Sequence, residues 1–267
     1  KNEGNTVNVT SSSNKVYEKL YAVGSTSLED KEYTPQGSFC SLSTYFKACT
    51  VTGIPMSNYS TTFTVKAFWI TVDGSKVYGE TTEKSIHSYF EQSNVYIAET
   101  GTDVINHGSY EKPFATLDYA LEYVQNNGII HVIGAVVEDS SSTWSSHDKT
   151  VIITNDGKQD GTDSITFLTN TLNVQDSVKF TDLEVNFASG TTIYAWGNTL
   201  EIASDVTGLA NDVTVYGGGT SSITSDTNVI LRAGKYAAVY GGGNQAAVNG
   251  NTNVTLSGTI NSHINYK

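Results

Sequence analysis

Val215-Tyr-Gly-Gly-Gly219 returns 24 residues later as Val239-Tyr-Gly-Gly-Gly243, and Asp226-Thr-Asn-Val-Ile-Leu231 returns 25 residues later as Asn251-Thr-Asn-Val-Thr-Leu256. Ser257-Gly258 answers Ala233-Gly234 in the same way. A period of this length marks one supersecondary unit stacked on its neighbours. With two or three short strands per unit and no helix, the unit reads as one coil of a parallel β-solenoid. In-register coils put Tyr216 over Tyr240 at roughly the 4.8 Å spacing of paired strands. Either Tyr194 or Trp196 continues that column into the coil before. The Gly triplets read as backbone freedom at a turn. They are no phosphate loop, because no helix or Lys follows to complete one.

Upstream of the repeat the same grammar holds. Residues 129–133, 136–138, 150–154, 164–168, 178–185, 192–196, 199–202, 213–216, 228–231, 239–240 and 253–256 are short β-prone runs with turn residues between them. Residues 113–125 read instead as a helix. Pro113 suits its first position, Phe114, Leu117, Leu121 and Val124 make one apolar stripe, and Asn126-Asn127-Gly128 stops it. The stripe is a packing face and carries no functional group.

Gly101-Thr-Asp103, Lys112-Pro-Phe-Ala-Thr-Leu117, Ala120-Leu121 and Gly128-Ile-Ile-His-Val132 together resemble the opening of right-handed parallel β-helix proteins of the pectin-lyase-like superfamily. The Tyr-Gly-Gly-Gly coils resemble those of large Gram-positive surface proteins. The resemblance implies a right-handed β-helix over residues 95–267, with the amphipathic helix capping an edge that would otherwise recruit a strand. It implies no single activity, because that fold carries lyases, hydrolases, adhesins and inert spacers.

The first 94 residues read differently. Strands are expected at 15–23, 38–42, 45–51, 61–72 and 76–80, with Gly53-Ile54-Pro55 as a turn and Asp73-Gly74 as a hairpin. Phe63, Val65, Ala67 and Trp69 alternate as on a strand with one buried face. These motifs, with Tyr78-Gly79-Glu80, resemble the Ig/fibronectin-III-like modules of Gram-positive surface proteins. Phe63 departs from that pattern, standing where such a module often carries a Tyr. Residues 84–94 read as a short helical connector. The expected architecture is therefore all-β: an Ig-like β-sandwich at 1–94, then the capped β-helix at 95–267.

Composition narrows the partners. The 267 residues carry 27 Asp and Glu against 15 Lys and Arg, a net charge of −12, with Arg232 the single arginine. Nucleic acid is excluded as a partner, since phosphate contacts need clustered Lys and Arg. No run of about 18 apolar residues is present, so no membrane insertion is expected. Ser, Thr and Asn supply 86 residues, which suits an extracellular or cell-surface protein. The chain opens on Lys1 and ends without a cap signal, and reads as a piece of a longer polypeptide. Cys40 and Cys49 form either a local disulfide or two buried thiols.

Candidate chemistry is sparse. Asp156, Asp160 and Asp163, with Asn155, gather oxygen ligands within nine residues and could take Ca²⁺; the same Asp-Gly pairs also make ordinary turns. No other cofactor is expected. A lyase of the superfamily would need Arg232 beside Ca²⁺-binding acids, and a polygalacturonase-like hydrolase would show adjacent Asp-Asp and Gly-His-Gly, neither of which occurs. His131 reads as a hydrogen-bonded strand residue, and residues 140–148 as a solvated loop. Trp144 in that loop is expected to expose its indole to a sugar face or a protein partner. Tyr194, Trp196, Tyr216 and Tyr240 form either a stabilising ladder or a flat glycan-binding stripe. The expected function is a non-catalytic adhesive or glycan-binding protein whose partner is a polysaccharide, a glycan or another surface protein. The alternatives are a polysaccharide lyase or glycoside hydrolase, and a structural stalk.

Overall fold

A computed structural model describes residues 5–11, 19–23, 31–33, 45–51, 63–70, 75–85, 87–139, 144–158, 163–209, 212–257 and 263–264. The chain divides into two compact units, Lys1–Phe90 and Glu91–Lys267. In the first, β1 (Asn5–Ser11) pairs antiparallel with β4 (Tyr45–Val51). A second antiparallel sheet has the order β3-β2-β5-β6, from β2 (Lys19–Val23), β3 (Lys31–Tyr33), β5 (Phe63–Ile70) and β6 (Lys76–Lys84). A 3₁₀ turn follows at His87–Tyr89. Cys49 stands on β4 opposite Val7. Cys40, the proposed strand at 38–42 and the turns at 53–55 and 73–74 lie outside the described residues.

The second unit is built from three parallel sheets in a β-helix-like all-β fold. The first sheet contains β7 (Gln92–Ala98), β8 (Val124–Ile133), β10 (Thr150–Asn155), β13 (Ser177–Phe180), β16 (Thr199–Ile202), β19 (Thr227–Leu231) and β21 (Thr252–Leu256), in that spatial order. The second contains β9 (Ala135–Glu138), β11 (Ser164–Phe167), β14 (Glu184–Phe187) and β17 (Thr207–Gly208). The third contains β12 (Thr171–Asn173), β15 (Thr192–Tyr194), β18 (Val213–Tyr216), β20 (Tyr236–Tyr240) and β22 (His263–Ile264).

Register makes the core. In the first sheet Val95, Ile130, Ile153, Phe180, Ile202 and Leu231 fall in one column, each directly over the next. Leu172, Ile193, Val215 and Val239 form the matching column of the third sheet. All ten are buried. Alternation explains why: with one face of each strand inward, every second residue enters the interior. Burying such a side chain is worth about 1.5–3 kcal/mol, and each column repeats the gain coil after coil.

The helix is shorter than its sequence pattern suggests. It runs as α1 (Leu117–Tyr123), not over residues 113–125. Both carboxylate oxygens of Asp103 hold the preceding segment extended: Oδ1 accepts from the N–H groups of Ala115 and Thr116, and Oδ2 from the Thr116 hydroxyl. Thr116 then caps the helix by accepting from the Tyr119 N–H. At the other end Lys149 Nζ donates to the carbonyls of Leu121, Glu122 and Val124 at 2.6–3.0 Å and pairs with Glu91 at 3.1 Å. A cation there satisfies orphan carbonyls and meets the negative end of the helix dipole. Phe114, Leu117, Leu121 and Val124 are fully buried, so the apolar stripe packs as expected. Residues 178–185, expected as one strand, are two, β13 and β14, with Asp182 turning the corner at φ 48°.

The glycine triplets serve a different purpose from the expected one. Residues 217–219 and 241–243 keep φ outside the left-handed region. Their lack of a side chain matters instead, because two coils touch there through bare backbone. The Gly217 N–H donates to the Tyr240 carbonyl and the Gly218 N–H to the Gly242 carbonyl. A Cβ on Gly217 would meet the Gly241 oxygen at 2.5 Å and the Thr227 side chain at 2.8 Å, while one on Gly219 would run into the Trp196 ring. Gly217→Ala should therefore destabilise the protein by about 2 kcal/mol, the cost of overfilling a close contact. Gly190→Ala, with φ 75° but nothing within 4 Å of its Cβ, should cost about 1 kcal/mol from backbone strain alone. Chemical denaturation followed by circular dichroism ranks the two.

Candidate functional site

Where a coil turns from one sheet to the next, the ladder of backbone hydrogen bonds is interrupted and N–H groups need other acceptors. Aspartates supply them. Asp163 accepts from the N–H groups of Gly134 and Asp156, and Asp205 from the Asp182 N–H and the Thr181 hydroxyl. Asp212 accepts from the Gly190 N–H and from Ser189, and Asp226 from the Asn251 N–H. Asp176 accepts from the N–H groups of His147 and Lys149 and from the His147 ring. Much of the negative charge of this unit is thus corner chemistry.

The successive corners between the first and second sheets line a groove of about 400 Å³. Its walls carry Asn155, Lys158, Asp163, Asp182, Glu184, Asp205 and Thr207. Asn155 Nδ2 donates to Asp182 at 3.0 Å, and Asn186 Nδ2 donates to Glu184 at 3.0 Å. Among the described residues four carboxylates face one ammonium, and Lys158 already lies 3.8 Å from Asp156. Burial is the main reason the Asp163 carboxyl titrates above its ordinary range; the N–H groups of Asp156 and Gly134 oppose that rise, and the Asp156 carboxylate adds to it. At one end the groove meets an aromatic cluster. Lys158 Nζ sits 3.7 Å over the Tyr110 ring, Tyr110 packs edge-on against Tyr96, and Tyr96 stacks on His131 at 4.7 Å. His131 Nδ1 lies 2.9 Å from the Asn155 carbonyl and Nε2 3.1 Å from Asn94 Oδ1. Tyr110 is 37% exposed.

The residues singled out in the sequence fare unevenly. Asp156 and Asp163 come together, but as turn acceptors: Asp156 Oδ1 takes the Lys158 N–H, and both Asp163 oxygens hold backbone N–H groups. Asp160 lies outside the described residues. Among the described residues no three His, Cys, Asp or Glu side chains are arranged to hold a metal ion. Trp144 is a correction. It is 7% exposed, edge-on to Phe167 at 5.9 Å, with its indole N–H buried and unpartnered. A polar neighbourhood in sequence hid this, because the loop folds down through the bonds from Ser145 to Asp118 and from His147 to Asp176. His147 and its loop are accordingly tied to the coils.

The tyrosine column exists, and Tyr194 continues it. Tyr194 and Tyr216 stack at 5.4 Å, Tyr216 and Tyr240 at 4.6 Å. Trp196 stands aside at φ 52°, its indole donating to Asn173 Oδ1 at 2.7 Å. Within the column the rings stack face to face on one another, and the Tyr194 hydroxyl accepts from Asn244 Nδ2. The groove residues Lys158, Asp182, Glu184, Asp205 and Thr207, and the Tyr96–Tyr110 pair, were missed in the sequence. The 23-residue step from Asp182 to Asp205 is a coil length, and would have linked those two once coils were counted.

Comparison with protein-family models, curated proteins and solved structures finds no match for this chain. No described helix is long and apolar enough to cross a membrane.

Two outcomes follow from this geometry. Trp144→Ala should cost about 3–5 kcal/mol of stability, as for other buried aromatics. Trp144→Phe, which keeps a ring and removes the unpartnered N–H, should cost less than about 1.5 kcal/mol; thermal unfolding distinguishes them. For Asp176, burial pushes its pKa up, but the His147 ring and the Lys149 and His147 N–H groups outweigh it and hold the carboxyl below 3.8. A depressed acid stabilises the fold above its unfolded pKa, and that contribution is lost as pH falls through the acid range. Asp176→Asn should therefore lower stability at neutral pH by about 2 kcal/mol and leave a shallower acid limb in a stability–pH curve.

Proposed function

We propose that this protein is a non-catalytic extracellular or cell-surface scaffold that binds a polysaccharide or glycan along the corner groove. The finer architecture belongs to the same reading. The coils wind right-handed, as parallel crossovers do in about 98% of cases, α1 covers the first coil, and residues 1–94 form an Ig-like sandwich. The observation that carries the function is the groove itself. Carboxylate, amide and hydroxyl groups converge in about 400 Å³ beside a partly exposed tyrosine. Sugars combine many hydroxyl donors with apolar ring faces, and such a site offers acceptors for the first and an aromatic surface for the second.

A second reading, a lyase or glycoside hydrolase, is favoured by the four carboxylates and Lys158 in one groove. It ranks lower because a general acid must present a protonated oxygen to its substrate, whereas both Asp163 oxygens accept backbone N–H groups. Glu184 likewise accepts a hydrogen bond from Asn186 of its own coil, and Asp182 and Asp205 accept from Asn155 and Asp182 of the coil before.

The test is retention on a broad glycan and plant-polysaccharide panel, with and without Ca²⁺, with released sugars measured in the same wells. Retention without release is expected, weakened about tenfold, or 1.4 kcal/mol, by Lys158→Ala or Glu184→Gln. Release of unsaturated or reducing sugars would establish the enzyme reading instead. Absence of both would leave the structural stalk.

A further inference from the structure

The register of the third sheet fixes a reactive geometry that the groove does not use. Tyr216 and Tyr240 are paired residues of β18 and β20, and their rings lie 4.6 Å apart at an interplanar angle of 9°. Both are half-buried, with Val215 and Val239 beside them directed into the core. Their phenol rings are thus outside the core and held together by the backbone ladder. Tyr194, next in the column, is only 8% exposed, stands farther off at 5.4 Å, and has its hydroxyl fixed by a hydrogen bond from Asn244 Nδ2. Of the three rings, Tyr216 and Tyr240 make the closest and most accessible pair.

We propose that Tyr216 and Tyr240 are a site of oxidative cross-linking, joined as dityrosine by a peroxide-consuming peroxidase so that two successive coils become covalently stapled. Each phenol gives up one hydrogen atom, as a proton and an electron, to the peroxidase. Hydrogen peroxide takes up both electrons and both protons and is reduced to two waters. The two tyrosyl radicals form one carbon–carbon bond between ring carbons ortho to the hydroxyls. Each of those carbons then loses its hydrogen as a proton, and each ring's dienone carbonyl oxygen takes one up as the rings regain aromaticity. The net change is loss of two hydrogens from the protein. Stacking at coil spacing supplies the proximity that makes coupling intramolecular. The new bond requires the two partly exposed rings to swing from stacked to side-by-side.

The cross-link closes a loop spanning the 24 residues from one tyrosine to the other, and so restricts the unfolded chain much as a disulfide does. It asks nothing of the groove and stands whether or not a glycan binds there.

The experiment treats the whole chain with a heme peroxidase and hydrogen peroxide, then isolates the monomer. Dityrosine fluorescence is expected in that fraction, and peptide mapping should find the Tyr216 and Tyr240 peptides joined at a mass two hydrogens below their sum. Tyr216→Phe and Tyr240→Phe keep a ring in the stack, and each should reduce the monomer signal about tenfold or more. Tyr89→Phe, which alters a tyrosine 67% exposed, should not reduce the signal. Running the reaction in denaturant should abolish the Tyr216–Tyr240 product, because only coil stacking brings the rings together. The proposal is overturned if the wild-type monomer carries no such product, if the monomer's dityrosine fluorescence is undiminished by either Phe substitution, if the product forms equally in denaturant, or if coupling is found only between molecules.

Discussion

Parallel in-register pairing is the constraint from which the rest of the second unit follows. Each strand of a coil takes its hydrogen bonds from the strand above and the strand below, so a residue is stacked on its counterpart one coil away. Like then falls on like. Val95, Ile130, Ile153, Phe180, Ile202 and Leu231 become one apolar column, and Tyr194, Tyr216 and Tyr240 become one aromatic column on the outer face. The same constraint explains the bare glycines. Where Gly217 and Gly218 take the carbonyls of Tyr240 and Gly242, two backbones approach too closely for a side chain on either.

Corners are the weak points of such a ladder, and the chain deals with them by charge. A strand can lean on its neighbour for every backbone bond, but a turn between sheets cannot. A short carboxylate reaches two N–H groups at once and adds charge-assisted strength. Asp103, Asp163 and Asp176 work in this way, and Asp205 and Asp212 each take one N–H and one hydroxyl. Part of the acidic excess of this chain thus serves the corners of the fold. The groove is built on that excess: corners stack one above another, and so do their acids.

The period of the repeat and most of the strand runs were legible along the chain, because each depends on residues close in sequence or separated by a constant step, whereas the corner at Asp182 that splits residues 178–185 was not. The parallel coil and the stacking of Tyr216 on Tyr240 follow from them, while the number of sheets and the place of Tyr194 in the column come from the structure. The helix was legible as a stripe of apolar residues, but its ends were not. They are set by Asp103 and Lys149, which lie 14 residues before the first helical residue and 26 after the last.

Trp144 and the groove show where sequence reasoning stopped. Surrounded by serines, Trp144 looks solvated until bonds to Asp118 and Asp176 draw its loop onto the coils and lay its ring against Phe167. Asn155, Asp182 and Asp205 look unrelated until three coils are stacked. The sequence by itself determined the coil period, the stacking of Tyr216 on Tyr240 and hence the class of fold, since a backbone ladder repeats whatever the chain repeats. Only the tertiary structure decided which carboxylates share a groove and which indole is buried. Connections between strands vary in length from coil to coil, and the side chains that bind them down come from neighbouring coils.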